Sequence, residues 1–105
     1  MRFVETPVFT GSLRGLLSAE EYRQLQIALL LRPEQGALIR ASGGLRKLRW
    51  GAAGRGKRGA VRVIYYWEPA EELFYMLYVY PKNVQDDLTP AQARTLRRLV
   101  EEELK

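Results

Sequence analysis

The sequence predicts a single α+β domain, in which a small antiparallel sheet of about four strands packs against N-terminal helices and a C-terminal helix. The chain has 105 residues, long enough for one hydrophobic core and too short for two ordinary domains. Apolar residues make up 47% and charged residues 28%, the balance of a folded protein. Helical patterns stand before and after a run of strand-like segments, which favours helices on one face of the sheet and an open, basic face opposite. We therefore treat residues 1–105 as one domain.

The N-terminal residues 2–9 alternate loosely between apolar and polar side chains and predict a first strand. Pro7 cannot donate a backbone hydrogen bond, so this strand is expected at an edge of the sheet. A short helical turn is expected over residues 12–17.

A helix is predicted over residues 19–31. Ser18 and Glu21 have the spacing of a capping box, in which each side chain accepts a hydrogen bond from the other residue's backbone N–H. Apolar side chains recur at helical spacing within this segment, and Pro33 and Gly36 end it.

A linker is predicted over residues 35–44, between this helix and the main strands. Leu38 and Ile39 are its expected core anchors. Gly43 and Gly44 predict a turn at its end.

Three further segments have the aromatic and β-branched pattern of strands. They are residues 45–50, 60–67 and 73–80. The last two are expected to pair as an antiparallel hairpin. Because side chains alternate along a strand, Lys47 and Arg49 are expected on one face and Arg46 on the other. Arg62 is the one charged side chain in an otherwise apolar strand.

The last predicted helix extends to about residue 103. Thr89 and Gln92 have capping-box spacing, and Pro90 suits the first helical position. Asp86 and Asp87 are interpreted as charges at the start of this helix. Its apolar side chains are Leu96, Leu99, Val100 and Leu104.

Positive charge is concentrated in the middle of the chain. Residues 35–67 contain eight of the 17 basic residues and none of the 12 acidic residues. The eight are Arg40, Arg46, Lys47, Arg49, Arg55, Lys57, Arg58 and Arg62. Such a segment attracts polyanions that the remaining, net negative part of the chain repels, and phosphate is the commonest polyanionic group.

The chain contains no cysteine and no histidine. The first absence excludes disulfides and thiolate metal sites, and the second removes the most usual metal ligand and the base whose ordinary pKa is near neutrality. Acid–base chemistry must therefore use Lys, Tyr, Asp or Glu. The N-terminus shows no apolar region behind a basic start, and no segment has the length of a membrane span. We therefore expect an unexported, cytoplasmic protein without a membrane partner.

Several short motifs, taken together, carry a family resemblance. They are GGLRKLRW from Gly43, GRGKRG from Gly54, RVIYY from Arg62, YPKN from Tyr80 and DLTP from Asp87. In this order and spacing they resemble the RelE/HigB superfamily of type II toxin–antitoxin toxins, most closely its HigB-like branch. The likeness covers nearly the whole chain and agrees with the element order above.

The resemblance implies a RelE-like fold and a toxin that enters the ribosomal A site, beside the rRNA. There it would cut mRNA without a metal ion or other cofactor. The resemblance also implies neutralisation by a cognate antitoxin encoded beside the toxin. It leaves the oligomeric state open, with a free monomer as one alternative.

Site residues follow from the same resemblance. Arg62 matches the family's arginine that contacts the scissile phosphate, and Lys47 and Arg49 stand where the preceding strand supplies basic catalytic residues. Lys82 matches the lysine of the family's glycine–lysine turn. Asn83 stands where RelE-like members often have an arginine, and no tyrosine occurs on the C-terminal helix.

RNA cleavage requires a base for the 2'-hydroxyl, cations around the developing phosphorane and an acid for the leaving 5'-oxygen. A cationic neighbourhood disfavours a further positive charge and so lowers the pKa of a lysine. The candidates for proton transfer are Lys47, Lys57 and Lys82. The predicted RNA contacts are Arg46, Arg55, Arg58, Tyr66, Tyr80 and Asn83. Either tyrosine is also a candidate acid.

Other interpretations of these residues stay open. Arg62 is alternatively a buried structural arginine paired with Glu68 or another carboxylate. At the level of function, the alternatives are a ParE-like toxin that inhibits DNA gyrase without nuclease residues and a catalytically weak RNA-binding protein.

Overall fold

The computed structural model of the protein describes residues 2–51, 60–85 and 87–103. Within these residues one strand and two helices are followed by four strands and a final helix. In order they are β1 (Arg2–Glu5), α1 (Pro7–Leu16), α2 (Ala19–Leu31), β2 (Ala37–Leu38), β3 (Arg46–Trp50), β4 (Val61–Glu68), β5 (Leu73–Pro81) and α3 (Pro90–Glu103).

The strands form one mixed sheet with the order β1-β5-β4-β3-β2. β1 pairs with β5 in parallel, and the other neighbouring strands pair antiparallel. The predicted α+β class is confirmed, and β1 is an edge strand as expected. The expected count of about four strands omitted the two-residue β2, which is too short to give an alternating pattern.

Pro7 begins a helix instead of interrupting a strand. β1 ends at Glu5, and Thr6 caps α1 by accepting a hydrogen bond from the Phe9 backbone N–H at 3.0 Å. The prediction of a strand through residue 9 and a mere turn over residues 12–17 was therefore wrong. Proline suits the first helical position because its fixed φ is helical and its missing N–H would have had no partner there.

The predicted bounds and cap of α2 are confirmed. The Ser18 N–H donates to Glu21 Oε1 at 2.8 Å, and the Glu21 N–H donates to Ser18 Oγ at 3.1 Å. Leu25 and Leu29 are buried on its inner side.

The predicted hairpin of β4 and β5 is confirmed and contains a β-bulge. Ile64 pairs with Tyr78 and Tyr65 pairs with Met76, so Leu77 is the extra residue on β5. As a result Leu77 and Tyr78 both contact the same hydrophobic cluster. The bulge reverses the alternation of side chains along β5, so that Tyr75 before it and Tyr80 after it both belong to this cluster.

Helices cover both faces of the sheet. On one face α1 and α2 pack against β3, β4 and β5 through a core that includes Phe9, Leu25, Val63 and Phe74. On the other, here called the α3 face, Leu96 and Val100 pack against Leu45, Ile64, Tyr75, Leu77 and Tyr80. The expectation that all helices share one face was wrong, because the apolar stripe of α3 needs an apolar surface of its own.

The linker only partly matches its prediction. Ile39 packs against the core of the α3 face, whereas Leu38 is 62% exposed and is not a core anchor. Gly43 and Gly44 make the predicted turn with φ of 73° and 110°, values that glycine adopts without a steric cost.

Glu5 joins three N-terminal elements through its carboxylate. Tyr22 Oη donates to Glu5 Oε2 at 2.7 Å, and Thr10 Oγ1 donates to Glu5 Oε1 at 2.6 Å. Burial, reinforced by this carboxylate, raises the pKa of Tyr22 well above its usual range. Burial also raises the pKa of Tyr65 and Tyr75.

The free energy of unfolding is therefore expected to fall as the pH rises above about 10. Above that pH the unfolded chain loses tyrosine protons that the folded chain keeps, so the unfolded state binds fewer protons and is favoured. Tyr22→Phe should make this slope shallower by at most about 1.4 kcal/mol per pH unit, since one proton is removed from the linkage. Urea unfolding at several alkaline pH values measures the slope, and an unchanged slope would contradict the assignment.

Candidate functional site

Three strands place side chains of the α3 face in one row. Arg49 of β3 pairs with Arg62 of β4, and Arg62 pairs with Tyr80 of β5. Residues directly opposite each other in a sheet have Cβ atoms about 5 Å apart. Two arginines and a tyrosine are therefore immediate neighbours at this row.

Lys47 lies one row away on the same face. It is two residues before Arg49 on β3 and pairs with Ile64, which belongs to the core of the α3 face. The expectation that Lys47 and Arg49 share a face holds. Lys47 forms an ion pair with Asp87, which lies between β5 and α3.

The electrostatics of Asp87 connect it with cations of two strands. Its pKa is held below the usual range, first by the hydrogen bond from Lys47 and the charge of that ammonium, and then by Arg62 and Arg49. One carboxylate therefore lies within the electrostatic reach of three cations from β3 and β4. Asp87 is anionic at neutral pH.

Local hydrogen bonds hold Asp87 in position. The Thr89 N–H donates to Gln92 Oε1 at 2.9 Å and the Gln92 N–H donates to Thr89 Oγ1 at 3.1 Å, which confirms the predicted capping box. Gln85 Nε2 donates to Asp87 O and to Gln92 Oε1, each at 2.9 Å. The segment before α3 is therefore tied to the cap of the helix.

Sequence reasoning missed the role of Asp87, which was interpreted as a helix-start charge. No local pattern connects it with Lys47, from which it is separated by 40 positions. The available signal was the family-like motif that begins at Asp87, to which no site residue was assigned. Asp86 lies outside the described residues.

Arg62 is 2% exposed, so the free protein covers its guanidinium almost completely. Pairing with Glu68 does not account for this burial, because the two residues stand six positions apart on β4, roughly 20 Å along a strand. Asp87 is instead a carboxylate that feels the charge of Arg62. A ligand that contacts Arg62 directly must displace the atoms that cover it.

Arg46 is not brought to the α3 face. Its Nη1 donates to Gly36 O at 2.7 Å and to Glu34 O at 3.0 Å, and its Nη2 pairs with Glu34 Oε2 at 3.0 Å. The position does not support the predicted RNA contact. Alternation along β3 sends this arginine to the opposite face, where it joins the connection between α2 and β2.

The two predicted tyrosines differ in position. Tyr66 stands four positions from Arg62 on β4, roughly 13 Å along the strand, and the guanidinium carbon of Arg97 lies 5.6 Å from its ring centroid. The structure does not bring it to the arginine row. Tyr80 lies in that row, but it is buried, and its ring centroid is 5.2 Å from that of Tyr78. Tyr80 is therefore a buried neighbour of Arg62, and its ring is not exposed for stacking with an RNA base.

Lys82 and Asn83 are exposed in the turn after β5. The Lys82 N–H donates to Ala60 O at 3.3 Å, which places this turn at the end of the hairpin where Arg62 also lies. Three of the other predicted residues, Arg55, Lys57 and Arg58, lie outside the described residues together with the glycine-rich loop.

Within residues 2–51, 60–85 and 87–103, no three side chains of the His, Cys, Asp or Glu type come together as metal ligands. None of the helices described there is long and apolar enough to cross a bilayer.

Comparison with known proteins agrees with this architecture. The model of the family described as "RelE toxin of RelE / RelB toxin-antitoxin system" matches residues 25–105. Among solved structures, the protein is similar to the E. coli toxin RelE in the free state, in a mutant with two arginines replaced by alanine. That likeness has a TM-score of 0.57 at 14% identity, over 80% of this chain and 85% of the other, and it supports the fold. Because the family model spans well over half of the sequence, this chain belongs to the RelE family of toxin–antitoxin toxins, which are ribosome-dependent endoribonucleases that cleave mRNA.

Proposed function

We propose that this toxin binds the scissile phosphate of ribosome-bound mRNA among Lys47, Arg49 and Arg62. The observation that supports the proposal is the position of Asp87, whose carboxylate pairs with Lys47 and feels the charges of Arg62 and Arg49 in the free protein. A cluster that accommodates a carboxylate is suited to a phosphate oxygen, which carries the same charge and accepts the same hydrogen bonds.

The charge balance favours exchange of one anion for the other. Lys47, Arg49 and Arg62 carry three positive charges, which a single carboxylate leaves in excess. An RNA strand brings several phosphates, and Asp87 is exposed enough to be displaced. Displacement leaves the cations for the phosphate.

The chemistry then has three parts. A base takes the proton of the 2'-hydroxyl, which attacks the adjacent phosphorus, and the P–O bond to the 5'-oxygen breaks as an acid protonates that oxygen. The phosphorane carries additional negative charge, and Arg62 and Arg49 stabilise it electrostatically. This stabilisation is greater in the transition state than in the bound substrate, which is the condition for faster cleavage.

Lys82 is the described lysine best placed for proton transfer. Of the two lysines in the described ranges, Lys47 is paired with Asp87, whereas Lys82 lies exposed in the turn beside the start of β4. We assign Lys47 to phosphate binding and Lys82 to one proton-transfer step. Lys57 remains a predicted candidate outside the described residues.

The partners follow from the family. A RelE-family toxin has a cognate antitoxin, and we propose that a RelB-type antitoxin encoded beside this gene neutralises it. The mRNA in the ribosomal A site is the proposed substrate, so the proposed location is the cytoplasm. Membership of the HigB-like branch stays a prediction, because the family match is to RelE toxins as a whole.

Induced expression followed by ribosome profiling tests the function. We expect breaks in translated mRNA at positions that ribosomes occupy, together with arrest of translation. Intact mRNA accompanied by DNA damage would instead support inhibition of gyrase, and intact mRNA with a positive RNA-binding assay would support a weak RNA-binding protein.

Arg62→Ala should lower kcat for cleavage of ribosome-bound mRNA by about 10²–10³-fold, because a cation facing the developing phosphorane charge is removed. Purified ribosomes programmed with a defined mRNA provide the assay. Arg46→Ala is the matched control, since it removes the same side chain from a neighbouring strand on the opposite face.

Because Arg62 is buried, the folded state of each variant has to be measured by circular dichroism and urea unfolding. Arg62→Lys keeps the positive charge and should retain part of the activity. If a folded Arg62→Ala protein cleaved mRNA at the wild-type rate, the phosphate-binding role of Arg62 would be wrong.

Asp87→Asn should tighten binding of a single-stranded RNA oligonucleotide and make binding more dependent on salt. The variant leaves one more cation for the RNA to neutralise, which corresponds to a slope of log K against log[salt] that is more negative by about 0.7. Fluorescence anisotropy at several salt concentrations measures this slope.

Glu101→Gln is the control for Asp87→Asn, because it also removes one carboxylate but from the outer side of α3, where Glu101 lies near Arg97. It should leave the slope close to that of the wild type. Equal slopes for Asp87→Asn and the wild type would show that Asp87 does not compete with RNA.

A further inference from the structure

A groove adjoins the ion pair of Lys47 and Asp87 on the side of β2. It has a volume of about 330 Å³. Its lining consists of Ala37, Leu38, Ile39, Arg40, Lys47, Asp87 and Leu88. None of the residues from 37 to 40, nor Leu88, has a part in the phosphate site proposed above. Lys47 and Asp87 belong to both, so the groove and the phosphate site share a wall.

The walls of the groove differ in chemistry. Leu38, Ile39 and Leu88 provide apolar surface, Arg40 and Lys47 provide positive charge, and Asp87 provides one carboxylate that is paired with Lys47. A ligand that contacts both the apolar and the positively charged surface needs a flat apolar part and an anionic part a short distance apart. A ribonucleotide has this composition, since its base has an apolar face and its phosphate is anionic.

The size of the groove limits the ligand to one nucleotide. Small-molecule sites span roughly 300–1,000 Å³, and this groove lies at the lower end of that range. A longer strand would have to continue out of the groove along the surface. Lys47 lies at the border with the arginine row, so the direction of such a strand would be from the groove towards Arg49 and Arg62.

The groove is built on a fixed part of the chain. Ile39 and Leu88 pack against the core of the α3 face. The Ile39 N–H donates to Leu45 O at 2.8 Å, and Ser42 Oγ donates to Ile39 O at 2.6 Å. Ser42 Oγ also accepts from the Leu45 N–H at 3.0 Å, so the turn between β2 and β3 is closed by hydrogen bonds. Such a wall requires little ordering when a ligand binds.

We infer that this groove is a subsite for a single ribonucleotide of the mRNA, adjacent to the scissile phosphate. The base lies between Leu38, Ile39 and Leu88, and the phosphate of the same nucleotide contacts Arg40, while Lys47 contacts the neighbouring scissile phosphate. This inference rests on the proposed function for the identity of the RNA, but not for the binding of a nucleotide. The groove would then add affinity at one position of the cut codon.

Titration of the ¹⁵N-labelled full chain with each of the four ribonucleoside 5'-monophosphates tests the subsite by NMR, with inorganic phosphate as the comparison probe. We expect the nucleotides to shift the amide signals of Leu38, Ile39, Arg40 and Leu88. Inorganic phosphate should shift signals near Lys47 and Asp87 and leave those of Leu38 and Ile39 in place. Identical shift patterns for the nucleotides and inorganic phosphate, or no shifts at residues 37–40 and Leu88, would overturn the subsite.

Leu38→Glu provides a variant that should fold, because Leu38 is 62% exposed. The new carboxylate at the rim should weaken nucleotide binding by about tenfold through like-charge repulsion. In the ribosome assay it should raise KM much more than it lowers kcat. Leu31→Glu is the control, since Leu31 is 77% exposed on α2, and both parameters should match the wild type. Equal effects of the two variants would contradict the subsite.

The two proposals fail separately. The NMR titration requires no cleavage, so it tests the groove even if the wild-type protein does not cut mRNA. Conversely, the titration could show no nucleotide binding in the groove while folded Arg62→Ala loses cleavage. That result would support the phosphate site and contradict the nucleotide subsite.

Discussion

The register of β3 against β4 and of β4 against β5 is the constraint on which the site depends. It sets Arg49, Arg62 and Tyr80 in one row on the α3 face. Because side chains alternate with a period of two, a slip of one residue would turn Arg62 towards the core of α1 and α2. The apolar residues on either side of Arg62, Val61 and Val63, belong to that core and hold the register. The packing of one face therefore fixes the chemistry of the other.

Two arginines directly opposite each other in a sheet repel, and the fold has to offset that repulsion. Asp87 provides part of the compensation from outside the sheet, through Lys47 and through its field at Arg49 and Arg62. The hydrogen bonds around the start of α3 keep this carboxylate near the cations. A row of cations that is electrostatically unfavourable by itself is thus partly balanced by a carboxylate from the connection between β5 and α3.

The sequence predicted those features that depend on local physics. The capping boxes at Ser18 and Thr89 gave the starts of α2 and α3, and alternation gave the faces of Lys47 and Arg62. Features that depend on distant contacts were missed. The parallel pairing of β1 with β5 and the approach of Asp87 to Lys47 join segments far apart in the chain, and no periodic pattern records them. The phosphate-binding role predicted for Arg62 came from the family resemblance, because composition alone does not distinguish a phosphate-binding arginine from a structural one.

If Lys47, Arg49 and Arg62 bind the scissile phosphate, that phosphate takes the place that Asp87 occupies beside Lys47 in the free protein. The most direct test is a structure of the toxin on a ribosome whose mRNA has a 2'-O-methyl group at the cleavage site, which prevents attack. We expect the scissile phosphate within about 3 Å of the Arg62 or Arg49 guanidinium, with Asp87 separated from Lys47. A bound mRNA that leaves the pair of Lys47 and Asp87 intact, with its scissile phosphate held elsewhere, would contradict it.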